Sequence, residues 1–242
     1  MFHFLILFKY LAIIALFLIL IYYLFKKLYI YSGDIKSIKK YLSKFENVKK
    51  IKLDKNKFIY KGKNTRAALI FNQGGFVEYE SYEPLMTAIA NKGIMCILIR
   101  STLSCPFFNI NAPDGIKEKF PEIKNWYIGG HSLGGVISCF YLSNHLKDFN
   151  GLILLASYTI KDLTKGNLKV LSIYGSNDKI INLKNYEKYK KLLPKDMIEF
   201  IIEGGNHSNF GMYGPQKGDG LASIPNIEQI EITANKINEL IK

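Results

Sequence analysis

Trp126-Tyr127-Ile128-Gly129-Gly130-His131-Ser132-Leu133-Gly134-Gly135-Val136-Ile137 is the stretch on which the fold of this chain turns. An aromatic and β-branched run stops at a glycine pair, a serine sits between glycines, and an apolar helical pattern begins at once. The order reads as strand, tight turn, helix. Such a turn drives Ser132 into a strained backbone conformation, and Gly130 and Gly134 must lack side chains so that strand and helix can approach closely. The hydroxyl is then presented at the tip. Leu133 opens the helix, so its N–H has no intrahelical acceptor and sits at the positive end of the helix dipole, where an oxyanion is stabilised.

The pentapeptide Gly-x-Ser-x-Gly alone is a weak signal, since glycine and serine at about 7% each produce it by chance in roughly one chain of this length in ten. A glycine-rich turn with an inert serine satisfies it equally. The surroundings discriminate. Short apolar runs at 67–71, 94–99, 126–128, 151–156, 170–174 and 198–202 alternate with helical patterns at 82–91, 114–120, 133–146, 183–192 and 227–241. Strands apolar throughout are buried on both faces, which predicts a mostly parallel sheet in a three-layer α/β fold.

The run at 170–174 ends in Gly175-Ser176-Asn177-Asp178, and the run at 198–202 ends in Glu203-Gly204-Gly205-Asn206-His207. Both lie at the carboxyl edge of the sheet, where open α/β folds bind ligands. Taken singly, Asp178 reads as a turn former or helix cap, and His207 as a structural histidine. Jointly, a serine, an acid and a base each follow a strand in the chain order of a Ser-Asp-His triad. The chemistry requires that set: the imidazole takes the serine proton, and the carboxylate fixes the imidazole tautomer and stabilises its cation. A tetrahedral intermediate needs two hydrogen-bond donors. One is the Leu133 N–H; the other is expected from Asn72-Gln73-Gly74-Gly75-Phe76, with Phe76 and Gly75 as candidates.

From about residue 67 to the end, the chain resembles the small cap-less bacterial members of the α/β-hydrolase superfamily, near the dienelactone-hydrolase-like group. The resemblance rests on Phe71-Asn72-Gln73-Gly74-Gly75, on 129–135, on Leu154-Leu155-Ala156-Ser157-Tyr158, on Tyr174-Gly175-Ser176-Asn177-Asp178 and on 203–220. It implies an α/β-hydrolase fold and a serine hydrolase with Ser132 as nucleophile, Asp178 as acid and His207 as base. No metal or organic cofactor is implied. A substrate does not follow, because the fold hosts many chemistries. Two departures stand out: only about thirteen residues separate Ala156 from the next strand, leaving no room for a sizeable cap, and Gln73 precedes the glycine pair where many esterases carry histidine.

At the other end, residues 2–25 are apolar or aromatic except for His3 and Lys9, and the unbroken part ends at Lys26-Lys27. About twenty residues from Leu5 onward reach across roughly 30 Å of hydrocarbon, with Lys9 snorkelling to one face. A cleaved signal peptide would have a shorter apolar core and a small-residue cleavage site; here 21–25 runs straight into lysines, so 1–31 reads as a retained transmembrane anchor. Lys26, Lys27, Lys36, Lys39, Lys40 and Lys44 follow the span, against Lys9 and the amino group before it, which places the hydrolase domain in the cytoplasm. Residues 32–57 carry Ile35, Ile38, Tyr41, Leu42 and Phe45 at helical spacing among lysines, a basic amphipathic linker that either lies on the membrane or packs on the domain at 58–242.

With 242 residues and 48% hydrophobic content, the chain can bury one full core. The net charge of +13 is almost all lysine; with Arg66 and Arg100 as the only arginines, base readout of nucleic acid is not expected. Cys96, Cys105 and Cys139 have no metal-ligand spacing and read as free thiols. The leading expectation is hydrolysis of a small-molecule or lipid-like carboxylic ester at the membrane. Amide hydrolysis or acyl transfer uses the same acyl-enzyme, and a silent membrane-tethered binding module is the non-enzymatic alternative. Phe107 and Phe108 either line an apolar acyl site or pack into the core.

Overall fold

The computed structural model describes residues 2–242, with side chains from Tyr10 onward, so the expected role of Lys9 lies outside the described residues. The chain divides between Ile30 and Tyr31 into two compact units. The first is a single helix, α1 (Phe2–Tyr29). Its segment Tyr10–Tyr29 has a mean hydropathy of 2.2 and no part of it is buried. It is long and apolar enough to cross a membrane.

The second unit contains α2 (Ile35–Leu42), β1 (Lys49–Lys52), β2 (Lys57–Lys61), β3 (Ala67–Asn72), α3 (Glu83–Asn91), β4 (Ile94–Ile99) and β5 (Trp126–His131). It continues with α4 (Leu133–Leu142), β6 (Gly151–Leu155), β7 (Lys169–Gly175), α5 (Leu183–Lys190), β8 (Ile198–Ile202) and α6 (Asn226–Leu240). The eight strands form one sheet in the order β1-β2-β4-β3-β5-β6-β7-β8. Only β2 runs against its neighbours; β3 to β8 are parallel. This is the α/β-hydrolase fold, and all six parallel strands end at one edge.

Strand periodicity builds the layers. Leu69 and Phe71 of β3 face an apolar cluster containing Leu85 and Ile89 of α3 and Ile230 and Ile237 of α6. Ala68 and Ile70 face the opposite cluster, with Cys139 and Leu142 of α4. Successive strand side chains point to opposite faces, so an all-apolar strand feeds two cores at once.

Two regions differ from the sequence reading. Residues 32–57, expected as a linker, are folded into the second unit. Asp34 caps α2 by accepting the Ser37 N–H at 3.1 Å, and the helix buries Ile38 and Tyr41 to 3% and 2% exposure. The Tyr41 hydroxyl donates to Glu231 of α6. Of the two readings of this stretch, packing against the domain is the one observed. The strands β1 and β2 behind it escaped notice because β1 is Lys-Lys-Ile-Lys, exposed throughout. The expected helix at 114–120 is only a 3-10 turn, Lys117–Lys119. Gly115, at φ +69°, is in the left-handed region and interrupts a regular helix there. Between β6 and β7, residues 156–168 contain no helix, in keeping with the absence of a large cap.

Candidate active site

Ser132 joins β5 to α4 with φ +52° and ψ −123°, a conformation outside the regions that suit an L-residue. The surroundings hold it there. Its N–H donates to Leu155 O at 2.9 Å, and its carbonyl accepts the Ser157 hydroxyl at 2.8 Å. The flanking glycines are required by contact: a Cβ on Gly130 would lie 2.5 Å from the Gly134 carbonyl carbon, and one on Gly134 would lie 2.2 Å from Gln73 O. Strand and helix therefore touch backbone to backbone at this turn.

Asp178 and His207 come from the loops after β7 and β8. His207 Nδ1 lies 2.8 Å from Asp178 Oδ2, and both side chains are essentially fully buried. Asp178 Oδ1 accepts the N–H groups of Ile180 at 2.8 Å and Ile181 at 2.9 Å, which aims the other oxygen at the imidazole. The histidine loop is clamped from α6, where the Gln229 amide accepts the Asn206 N–H and donates to Asn206 O. Ser132 and His207 line the same cleft of about 230 Å³, with Leu133, Ser157, Tyr158 and Ile181. Among the described residues no group of three or more His, Cys, Asp and Glu side chains is placed to hold a metal.

The loop after β3 arches over Leu133, where a Cβ on Gly75 would come within 3.0 Å of the Leu133 side chain. Phe76, one of two expected oxyanion donors here, gives its N–H to Ser104 O at 2.7 Å. The Gly74 N–H goes to the Tyr82 hydroxyl at 3.0 Å. Among the described residues no protein acceptor meets the N–H of Gly75 or of Leu133. Gly75 is thus the loop's remaining candidate, and Phe76 is displaced by a loop contact that sequence spacing does not reveal.

Phe107 and Phe108, expected either to line an acyl site or to pack in the core, do neither: both are about 60% exposed and absent from the cleft beside Ser132. Cys96 and Cys139 are buried and Cys105 is half-buried, all as free thiols.

The sequence pattern of the alpha/beta hydrolase family matches residues 68–231, more than half of the chain and every candidate site residue above. The chain belongs to the alpha/beta hydrolase family. No curated protein matches it. Among solved structures, this hydrolase is similar to TT1662 from Thermus thermophilus, at 12% identity and a TM-score of 0.58 over 81% of this chain and 98% of that one. It is also similar to Est1E from Butyrivibrio proteoclasticus, at 14% identity and a TM-score of 0.57 over 81% and 99% of the two chains. At such identities the likeness concerns the fold.

The roles of three residues near Ser132 were not read from the sequence. His131, the residue before Ser132, is fully buried with its ring centroid 4.5 Å from that of His207. Its Nδ1 lies 2.8 Å from the Tyr82 hydroxyl that also receives the Gly74 N–H. Burial, reinforced by the neighbouring His207, holds His131 well below the usual imidazole range. The neutral ring and Tyr82 together tie the loop after β3 to the serine turn. Gln73 does similar work on the other side: its amide donates to Val77 O at 2.7 Å and accepts the Ser101 N–H at 3.1 Å. The only sequence signal for these roles was apolar context around a polar residue.

Proposed function

We propose that this alpha/beta hydrolase is a membrane-anchored serine hydrolase that cleaves a carboxylic ester through an acyl-enzyme on Ser132, with Asp178 as acid and His207 as base. The observation that carries the reading is the buried 2.8 Å pairing of His207 with Asp178 at the cleft that also holds the strained Ser132. His207 removes the hydroxyl proton as Ser132 Oγ attacks the ester carbonyl. The developing oxyanion is received by the N–H groups of Leu133 and Gly75. The imidazolium, held in its tautomer by Asp178, passes the proton to the departing alkoxide and leaves an acyl-serine. Water then attacks with His207 again as base, and the acid departs. A neutral His131 beside His207 avoids a second positive charge where the imidazolium forms.

Fluorophosphonate labelling tests the assignment, followed by turnover of p-nitrophenyl esters of increasing chain length. Ser132→Ala is expected to abolish labelling and to lower turnover on the order of 10⁴-fold or more, and adding His207→Ala to cost little further. Full labelling of Ser132→Ala would remove Ser132 from its role.

A further inference from the structure

We propose that the carboxyl edge of the sheet seats on an anionic lipid bilayer, and that the ester acted on is an acyl lipid taken from that bilayer. The proposal rests on the hydrolase reading of Ser132 and on α1 as a membrane anchor. It specifies which face of the domain meets lipid and where the acyl chain is held.

The first observation is the way the chain enters the second unit. Tyr31 forms a parallel bridge with Val77. Its N–H donates to Phe76 O at 2.8 Å, and its carbonyl accepts the Glu78 N–H at 2.9 Å. Its hydroxyl accepts the Lys217 N–H at 3.1 Å. Tyr31 is therefore fastened to the loop that carries Gly75 and to the segment that follows His207. Only Ile30 separates it from Tyr29, the last residue of α1. Two peptide links span at most about 7 Å, so the chain between α1 and the first hydrogen-bonded residue of the second unit is too short to act as a free tether.

The second observation is what the rim exposes. Twelve large hydrophobic side chains are exposed after Tyr31, and six of them stand on loops that leave this edge: Phe76, Leu103, Phe107, Phe108, Ile160 and Leu221. The three most exposed of the twelve are among the six: Leu221 at 86%, Phe108 at 61% and Phe107 at 60%. The loop after β4 is closed on itself, with the Thr102 N–H on Asn109 Oδ1 at 2.6 Å, and joined to Phe76 through Ser104. Phe76, Leu103 and Ser104 all have positive φ, at 58°, 53° and 52°. Left-handed backbone is unfavourable for residues with side chains, and it persists here at the points that present Phe76 and Leu103 outward. Apolar side chains left exposed along one edge of the domain mark that edge as an interaction surface.

Charge and cleft shape select the occupant. Lys179, next to Asp178, and Lys217, on Tyr31, are exposed at the same rim and suit anionic headgroups. The cleft is small, and the β6–β7 connection supplies no helix to cover it. The protein therefore encloses little of a long acyl chain. A bilayer against the rim supplies the missing apolar surroundings, and hydrolysis consumes one water and returns a fatty acid and an alcohol.

The test uses the full chain in nanodiscs of phosphatidylcholine and phosphatidylglycerol at roughly 3:1, with plain or brominated acyl chains. Phe107→Trp and Leu221→Trp report on the rim, Ile198→Trp on the far edge strand and Tyr22→Trp on the anchor, against the buried Trp126. Brominated lipid is expected to quench the indoles introduced at 107, 221 and 22 at least twofold, and the one at 198 little. Quenching at 107 and 221 no greater than at 198 overturns the seating surface. Ser132→Ala in each background should quench alike, so this arm is independent of catalysis. In the second arm, Phe107→Ser/Phe108→Ser/Leu221→Ser should lower the ratio of turnover on nanodisc-borne p-nitrophenyl palmitate to that on soluble p-nitrophenyl acetate about tenfold; an unchanged ratio overturns the lipid substrate. Absence of turnover on both esters with quenching intact would remove the hydrolase reading instead, and absence of quenching at 22 would remove the anchor.

Discussion

Asp219 accepts the backbone N–H of Ser208 at 2.9 Å, and with its other carboxylate oxygen it accepts the Lys179 N–H at 3.3 Å. Ser208 follows His207 and Lys179 follows Asp178, so one carboxylate holds together the two loops whose side chains pair at 2.8 Å. Its oxygens are committed to backbone donors, including Gly220 N–H at 2.8 Å, while Asp178 faces the imidazole. Of these two carboxylates, Asp178 is the one that faces the imidazole and Asp219 the one that joins the two loops.

Asp178→Asn is expected to lower ester turnover on the order of 10⁴-fold, because an amide can fix the wrong His207 tautomer and cannot stabilise the imidazolium. Asp219→Asn keeps one acceptor oxygen and should cost about tenfold, with a loss of stability near 1 kcal/mol. Steady-state kinetics and denaturant unfolding of the two variants check this. A more damaging Asp219→Asn would reverse the assignment.

Gly134→Ala tests the backbone contact under the serine turn. The added methyl would meet the carbonyl oxygens of Gln73 and Asn72 at 2.2 and 2.3 Å, and neither strand β3 nor helix α4 can retreat without opening the core. A loss of about 3 kcal/mol or more is expected. Gly115→Ala, at a position with open space around it but φ +69°, should cost only about 1 kcal/mol. Equal melting temperatures for Gly134→Ala and the wild type would refute the contact.

The buried, neutral His131 makes stability depend on pH. Its imidazole pKa is lowered in the folded state, so between the folded value and about 6.5 the unfolded chain binds the extra proton and acid favours unfolding. Stability from this residue is complete above about pH 6.5 and falls by up to about 1.4 kcal/mol per pH unit below it. His131→Gln can still accept from Tyr82 and removes the titration. Denaturant unfolding from pH 7.5 to 5 should therefore show a slope smaller by about one proton in the variant; the same slope would exclude His131 as the source.

Removing the anchor should release a soluble, active domain, provided the cut precedes Tyr31. A chain beginning at Ser32 loses the two backbone hydrogen bonds that Tyr31 makes with Phe76 and Glu78. At about 1 kcal/mol for each bond, a decrease in kcat of up to about thirtyfold is expected relative to a chain beginning at Tyr31. Matching rates for the two truncations would show that Tyr31 does not support the oxyanion loop. Protease added to intact cells should spare the domain until lysis; digestion without lysis would reverse the proposed orientation.

The sequence by itself determined the layered α/β architecture and the placing of Ser132, Asp178 and His207 after β5, β7 and β8. Both are written in local patterns: apolar runs of strand length, helical periodicity and a glycine-flanked serine each reside within about a dozen residues. The apolarity of α1 was legible for the same reason, since composition over twenty residues decides whether a helix can cross a bilayer. Tertiary structure alone decided what depends on distant segments meeting. The Phe76 N–H was spent on Ser104, twenty-eight residues away, and the candidate donor became Gly75. The amphipathic stretch after Tyr31 buries Ile38 and Tyr41 in the apolar cluster of the domain beside α3, and the Tyr41 hydroxyl reaches Glu231 of α6 from 190 residues away. Phe107 and Phe108 were left outside core and cleft by a 3-10 turn that no periodicity announces. Hydrophobicity states that a side chain prefers to leave water; only the assembled surface decides whether protein or another phase receives it.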